Sequence, residues 1–260
     1  MALFRWLRWL GLCTAAAWAI HRRLHTLRFP VAQLGLGQSA TVFRQGKLAV
    51  KVFHAHQGLV ELGRSEYNLL SKLSHPNIVR CIGCGMQGDR FAITFEFVAG
   101  GDLQQYVFSR GVPAVAMRTT VVAQVAAALR YLHTGELFHG DVKPENVLLD
   151  RDPERNGMVL AKLADFGFAG PKACCPQRGT EGYAAPEIKN HTATDGRPAD
   201  IYGLGALLFA IKFGRLYEAR VVGDADENDP EECAIEEMTK RAPADRPTAA
   251  TVLFFFQNPV

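Results

Sequence analysis

The stretch His139-Gly140-Asp141-Val142-Lys143-Pro144-Glu145-Asn146, followed by Asp165-Phe166-Gly167, constrains this chain more than any other feature. In one short window it sets out a carboxylate that can orient a hydroxyl and an ammonium to face a moving anionic group. It also offers an amide and a second carboxylate as hard oxygen ligands of the kind magnesium prefers. Moving a phosphoryl group asks for that set, because its transition state is loose and a protein contributes mainly positioning and charge stabilisation. Any one of these residues alone reads equally well as a turn or cap residue. Their order removes that reading.

Upstream, Leu34-Gly35-Leu36-Gly37-Gln38-Ser39-Ala40-Thr41-Val42 places two glycines between segments of strand character. Without side chains, those glycines let backbone amides approach phosphates closely. The third glycine of a G-x-G-x-x-G run is replaced by Ala40, and taken alone the segment reads as a plain hairpin. A dinucleotide-binding turn would need a helix next and an acidic residue about twenty positions later. Instead Thr41-Val42-Phe43 and Leu48-Ala49-Val50-Lys51-Val52-Phe53 read as paired strands, the second carrying Lys51. A helix is expected from about Glu61 to Leu73, with Leu69, Leu70 and Leu73 on one side. Glu66 lies on it, nine positions before His75-Pro76-Asn77-Ile78-Val79.

These residues resemble the eukaryotic-type protein kinase family, serine/threonine type. The window at 139–146 is similar to the HRDLKPEN catalytic loop with Gly140 in place of arginine, and Asp165-Phe166-Gly167 is similar to DFG. The resemblance implies Asp141 as the residue that aligns the acceptor hydroxyl, Lys143 at the transferring phosphoryl, and Asn146 and Asp165 as magnesium ligands. It implies residues Leu34 to Val42 as the loop over ATP, Lys51 as the lysine of V-A-I-K at the α- and β-phosphates, and Glu66 as its partner. Phe91 to Val98 resembles the strand and hinge that receive adenine, with Phe95 as gatekeeper closing a back pocket, Glu96 to Val98 as hinge and Asp102 near the ribose. Gly179-Thr180-Glu181-Gly182-Tyr183-Ala184-Ala185-Pro186-Glu187 resembles the GTxxYxAPE platform for a peptide acceptor. Asp200 matches an aspartate that braces the catalytic loop, and Arg246 the arginine that pairs with Glu187.

The implied fold is α+β and two-lobed: a small, mostly β lobe at about 29–98 and a larger, mostly helical lobe at about 99–257, with ATP and Mg2+ as cofactors. Length suffices for one such domain. Between Phe213 and Arg246 apolar periodicity is sparse, and the acidic run Asp224 to Glu232 reads as a solvated loop. A net charge of +3, from 29 basic and 26 acidic residues, gives no basic stripe for nucleic acid. Six cysteines without metal-ligand spacing, the adjacent Cys174 and Cys175 among them, read as reduced intracellular thiols. Cys81-x-x-Cys84 has no second pair, so packing of a strand edge is its expected role.

Residues 1–28 hold five arginines and no acid around the apolar run Trp9 to Ile20, which is shorter than a membrane span. A signal peptide, a mitochondrial presequence, an amphipathic helix on an anionic membrane surface and a helix packed on the small lobe are the alternatives. Use of ATP and free thiols favour an intracellular, cytoplasmic location over secretion, with membrane or mitochondrial association resting on this segment alone.

Serine/threonine members of the family usually carry a lysine two residues after the aspartate, so by that resemblance Lys143 implies a serine or threonine of a protein substrate as acceptor, and Thr180 supports it because its hydroxyl could bond both Asp141 and Lys143. Glycine at 140 cannot clamp a phosphate, and residues 168–179 (FAGPKACCPQRG) contain no serine, threonine or tyrosine. Activity independent of activation-loop phosphorylation is therefore expected. A small-molecule phosphotransferase of the aminoglycoside or choline kinase type, which shares H-G-D and the asparagine, and a pseudokinase scaffold are the alternatives.

Overall fold

The computed structural model describes residues 32–150, 158–172, 179–217 and 226–258; the amino-terminal segment, Cys174 and Cys175 lie outside them. The chain divides into two compact units, one comprising residues up to Ser71 with Cys81–Phe97, the other Lys72–Arg80 with Val98 onward.

The first unit is a five-stranded antiparallel sheet and one helix. Strands β1 (Ala32–Leu36), β2 (Ala40–Gln45), β3 (Leu48–Phe53), β4 (Cys81–Gln87) and β5 (Arg90–Glu96) lie in the order β1-β2-β3-β5-β4. Side chains alternate faces along a strand, so Val50 and Val52 join Ala92 and Phe43 in one apolar cluster. Lys51, directly opposite Ile93, falls on the other face. Helix α1 (Gln57–Leu70) starts four residues earlier than the apolar pattern suggests, because the His56 ring accepts the Gly58 N–H at 3.2 Å as its N-cap. Its buried stripe is Gly63, Glu66 and Leu70, one helical face.

The second unit is mostly helical. It comprises helices α2 (Leu103–Arg110), α3 (Val115–Thr134), α4 (Pro186–Lys189), α5 (Arg197–Phe213), α6 (Pro230–Met238) and α7 (Ala249–Gln257) and the short strands β6 (Leu137–Phe138), β7 (Val147–Asp150), β8 (Leu160–Leu163) and β9 (Gly170–Pro171). Helix α5 is buried without interruption from Asp200 to Ile211, so it is the core of this unit rather than a surface helix. The hairpin β7–β8 and the pair β6–β9 hold the loops that follow β6 and β8. No helix among the described residues is long and apolar enough to cross a membrane.

The end of the acidic run, expected as a solvated loop, instead starts α6. Asp229 caps it by accepting the Glu231 and Glu232 N–H groups at 2.9 and 3.2 Å, Pro230 takes the first turn, and Glu231 and Glu232 are buried. Arg118 of α3 forks onto Glu231, with Nη2 2.5 Å and Nε 3.0 Å from its oxygens, and Lys212 faces Asp229, Glu231 and Glu232 together. Cations supplied from distant sequence turn a charge run into an internal contact.

His75 stacks on Tyr131, with ring centroids 5.2 Å apart, and its Nδ1 accepts the Asn77 N–H at 3.1 Å. Burial first, then the Arg130 guanidinium, lowers its pKa. The unfolded chain therefore binds a proton more readily, and stability falls as pH drops through the unperturbed histidine value of about 6.5 toward the lower folded value. Thermal midpoints measured from pH 7.5 to 5 should decline, and His75→Leu should flatten that slope; an unchanged slope would remove His75 as its source.

Candidate active site

In the first unit, Lys51 Nζ donates to both Glu66 carboxylate oxygens at 2.8 and 2.9 Å, and the Glu66 side chain is 2 % exposed. A long lysine reaches that carboxylate only if α1 lies close to the sheet, and Gly63, one turn before Glu66, makes this possible. A Cβ there would stand 2.6 Å from the Phe91 ring and 2.8 Å from Phe53. Sequence reading passed over Gly63, since a glycine inside a helix reads only as a propensity defect. Gly63→Leu should lower stability by about 1–3 kcal/mol through overpacking, measurable by urea unfolding. Wild-type stability in that variant would show that α1 has room to spare.

The glycine-bearing segment runs from the end of β1 through a turn at residues 37–39 into β2. Leu34, Gly35, Leu36, Gly37 and Gln38 are exposed, and the Gly37 N–H donates to Ala40 O at 2.9 Å. Ser39 O receives the His54 N–H, and Thr41 Oγ1 lies 3.3 Å from the His54 ring. Val42 pairs with Lys51, which ties the loop to the strand that carries the lysine. Ala40, in the place of a third glycine, is buried opposite Phe53. Phe95 is buried and Glu96 ends β5.

In the second unit the residues of the 139–146 window converge with Thr180. Lys143 Nζ donates to Thr180 Oγ1 at 2.7 Å, that hydroxyl donates to Asp141 Oδ1 at 2.7 Å, and Lys143 Nζ is 2.8 Å from Asp141 Oδ2. Asn146 Nδ2 donates to the Asp141 carbonyl at 2.8 Å and to Oδ2 at 3.0 Å. Committing its amide nitrogen in this way orients the Asn146 side chain and leaves Oδ1 as its oxygen donor. Ala164 N–H donates to Asn146 O at 2.8 Å, so the residue before Asp165 is fastened to the catalytic loop. Asp165 is exposed and sits at φ +59°, a left-handed conformation that aspartate tolerates better than most residues. An amide oxygen and a carboxylate on adjoining loops are a donor set that fits a hard divalent cation.

The loop is braced from below. Asp200, 1 % exposed, accepts the His139 N–H on one oxygen and the Gly140 N–H on the other, both at 2.8 Å, while His133 Nε2 lies 2.9 Å from it. The His139 ring is fully used: Nδ1 accepts the Asp141 N–H, Nε2 faces Ala164 O at 3.0 Å, and its edge meets Phe166. Gly140 adopts φ +84°, and a Cβ there would lie 2.8 Å from Phe168 O. Glycine is the residue this turn accommodates, and Gly140→Arg should cost about 1–3 kcal/mol of strain, read as a lower thermal midpoint. A midpoint equal to wild type would mean that the turn relaxes freely.

Asp102 caps α2, accepting the Gln105 N–H at 2.7 Å, so its carboxylate has a structural partner. Val98 is buried at the start of the second unit. Glu187 and Arg246 form a bidentate pair at 2.5 and 2.8 Å. A bulge between Cys81 and Gly83 interrupts β4, and burial pushes the Cys81 thiol up to about 12, the reverse of a reactive thiolate. Among the described residues no group of three or more His, Cys, Asp or Glu side chains could hold a metal.

The protein kinase domain family matches residues 30–253. CBL-interacting protein kinase 12 of Oryza sativa subsp. japonica is 34% identical over 200 residues, covering 70% of this chain and 36% of that protein. Salt tolerance receptor-like cytoplasmic kinase 1 of the same organism is 35% identical, covering 67% of this chain and 52% of that protein. Serine/threonine-protein kinase ATG1b of Arabidopsis thaliana is 36% identical over 58% of this chain and 21% of its own length. The chain thus spans about half or less of each of these relatives. With its fold class and catalytic-loop sequence in agreement with that match, the chain belongs to the protein kinase family.

Proposed function

We propose that this chain is an ATP-dependent protein serine/threonine kinase that transfers the γ-phosphoryl group of Mg-ATP to a protein hydroxyl. The observation that carries the reading is the Thr180 hydroxyl held between Lys143 and Asp141 at 2.7 Å from each. An acceptor serine needs the same two neighbours, a carboxylate to take its hydrogen bond and a cation beside the oxygen. As that oxygen bonds to the γ-phosphorus, the bond to the β-phosphate oxygen breaks, ADP leaves, and Asp141 takes the hydroxyl proton. Lys143 offsets charge on the transferring group. Lys51, oriented by Glu66, would meet the α- and β-phosphates, residues Leu34 to Val42 would cover them, and backbone at Glu96 and Val98 would receive adenine. Asn146 and Asp165 would hold Mg2+, which when bound neutralises charge on the phosphates.

Activity without activation-loop phosphorylation belongs to the same reading. It is supported by the left-handed turn at Gly140, which disfavours an arginine there, and by the lack of any hydroxyl side chain in residues 168–179. Free cysteines and the use of ATP support an intracellular location.

Incubation of the purified chain with γ-labelled ATP, Mg2+ and a mixed protein substrate tests the reading. Label on serine or threonine of protein, unchanged after phosphatase pretreatment of the enzyme, is the expected result. Label appearing only on an added aminoglycoside or choline, or no label at all, would overturn it.

A further inference from the structure

A cavity of about 550 Å3 opens in the second unit where the end of α3, the start of α5 and the start of α7 meet. Asp141, Lys143 and Thr180 are not part of its wall, so it is separate from the catalytic loop. Its volume lies within the range of sites that hold small molecules or peptide side chains, roughly 300–1,000 Å3.

Three arginines line it, and only one carboxylate, Asp195. Arg246 is committed to Glu187 and to the carbonyls of Pro198, Lys240 and Arg241. Arg197 forks onto Asp195, with Nη2 2.6 Å from Oδ2, and reaches Glu136. The single acid in the wall is thereby neutralised. Arg130 is exposed; its carbonyl accepts the Thr134 hydroxyl at 2.8 Å, while its guanidinium makes no hydrogen bond or ion pair among the described residues. The cavity thus presents one uncompensated guanidinium above an apolar floor of Pro198, Ile201, Pro247 and Ala249.

Charge selects an anion, and a guanidinium fork matches phosphate oxygens. The cavity is too large for a lone phosphate, which needs only a few times the roughly 30 Å3 of a liquid water. No Phe, Tyr or Trp is present in the wall to stack a base, which argues against a nucleotide. A recess with an apolar floor also suits flanking residues of a peptide better than a flat membrane surface. We infer that this cavity is a docking site for a phosphorylated serine or threonine on a protein partner, with Arg130 bonding the phosphate and the Pro198–Ile201–Pro247 floor receiving the neighbouring side chains. The site needs no phosphoryl transfer by this chain.

The test is equilibrium binding without ATP, by fluorescence anisotropy, of labelled nonapeptide pools carrying a fixed central phosphoserine, serine or glutamate. The phosphoserine pool should bind the full chain at least about tenfold more tightly than the serine pool, with glutamate between them. Arg130→Glu should erase that difference, Arg130→Lys should keep part of it, and both variants should retain wild-type thermal midpoints and transfer rates on a generic substrate. Hydrogen exchange should slow at 198–201 and 247–252 when the phosphoserine pool is bound. Equal binding of the two pools, undiminished binding by Arg130→Glu, protection elsewhere only, or capture by phosphatidylserine vesicles in place of the peptide would each overturn the inference. Because binding is read without nucleotide, a failure here is distinguishable from a failure of the kinase reading.

Discussion

Asp141→Asn is expected to lower the rate of phosphoryl transfer by about 10²–10⁴-fold, the usual worth of a positioned proton acceptor, while nucleotide affinity is unchanged. The substitution keeps the side chain's size and an oxygen for the Thr180 hydroxyl at 2.7 Å. It removes the negative charge that Lys143 faces at 2.8 Å and the group proposed to take the substrate's proton. It also sets two amides against each other, because Asn146 Nδ2 donates to the oxygen that asparagine could replace with nitrogen. The measurement is kcat from labelled ATP on a serine peptide, with ADP binding followed by calorimetry. A rate within threefold of wild type would mean that another group positions the hydroxyl. Loss of rate together with loss of ADP binding would point to a collapsed loop.

How far such a site can be read in advance depends on how local its causes are. Asp141, Lys143 and Asn146 lie within six positions, and one turn brings them together, so their grouping was visible in the sequence. Lys51 and Glu66 were legible as a pair only through the spacing to His75 carried by the family resemblance. The reason they can meet, the missing side chain at Gly63 against Phe53 and Phe91, depends on three separate elements. The end of the acidic run was misread for a similar reason. Asp229-Pro230-Glu231-Glu232 carries a local helix-start signature of cap, proline and first-turn acids. What pairs Glu231 inside the fold is Arg118, 113 residues away, and no local pattern announces that contact. The platform at Thr180 lay between these cases: its residue types were legible, whereas the two 2.7 Å bonds that make it part of the site depend on the fold.

The Glu187–Arg246 pair shows what long-range polar contacts contribute to this unit. The Arg246 side chain is fully buried and makes bonds to two carboxylate oxygens and three carbonyls. Arg246→Met would leave Glu187, itself 6 % exposed, as an uncompensated buried charge, and three carbonyls would lose a donor. The expected cost is about 3–5 kcal/mol, which for a chain of this size is on the order of 6–20 °C in thermal midpoint. Glu187→Gln should be milder, because the guanidinium keeps its carbonyl partners and the amide oxygen can still accept a bond. Arg246→Met combined with Glu187→Leu should recover part of the single-arginine loss, since no charge is then stranded, but not all of it, since the carbonyls still lack their donor. Calorimetric midpoints for the four proteins give that ordering directly. If Arg246→Met and the double variant unfold together, the stranded carboxylate is not the source of the loss, and the carbonyl bonds of Arg246 carry the contact.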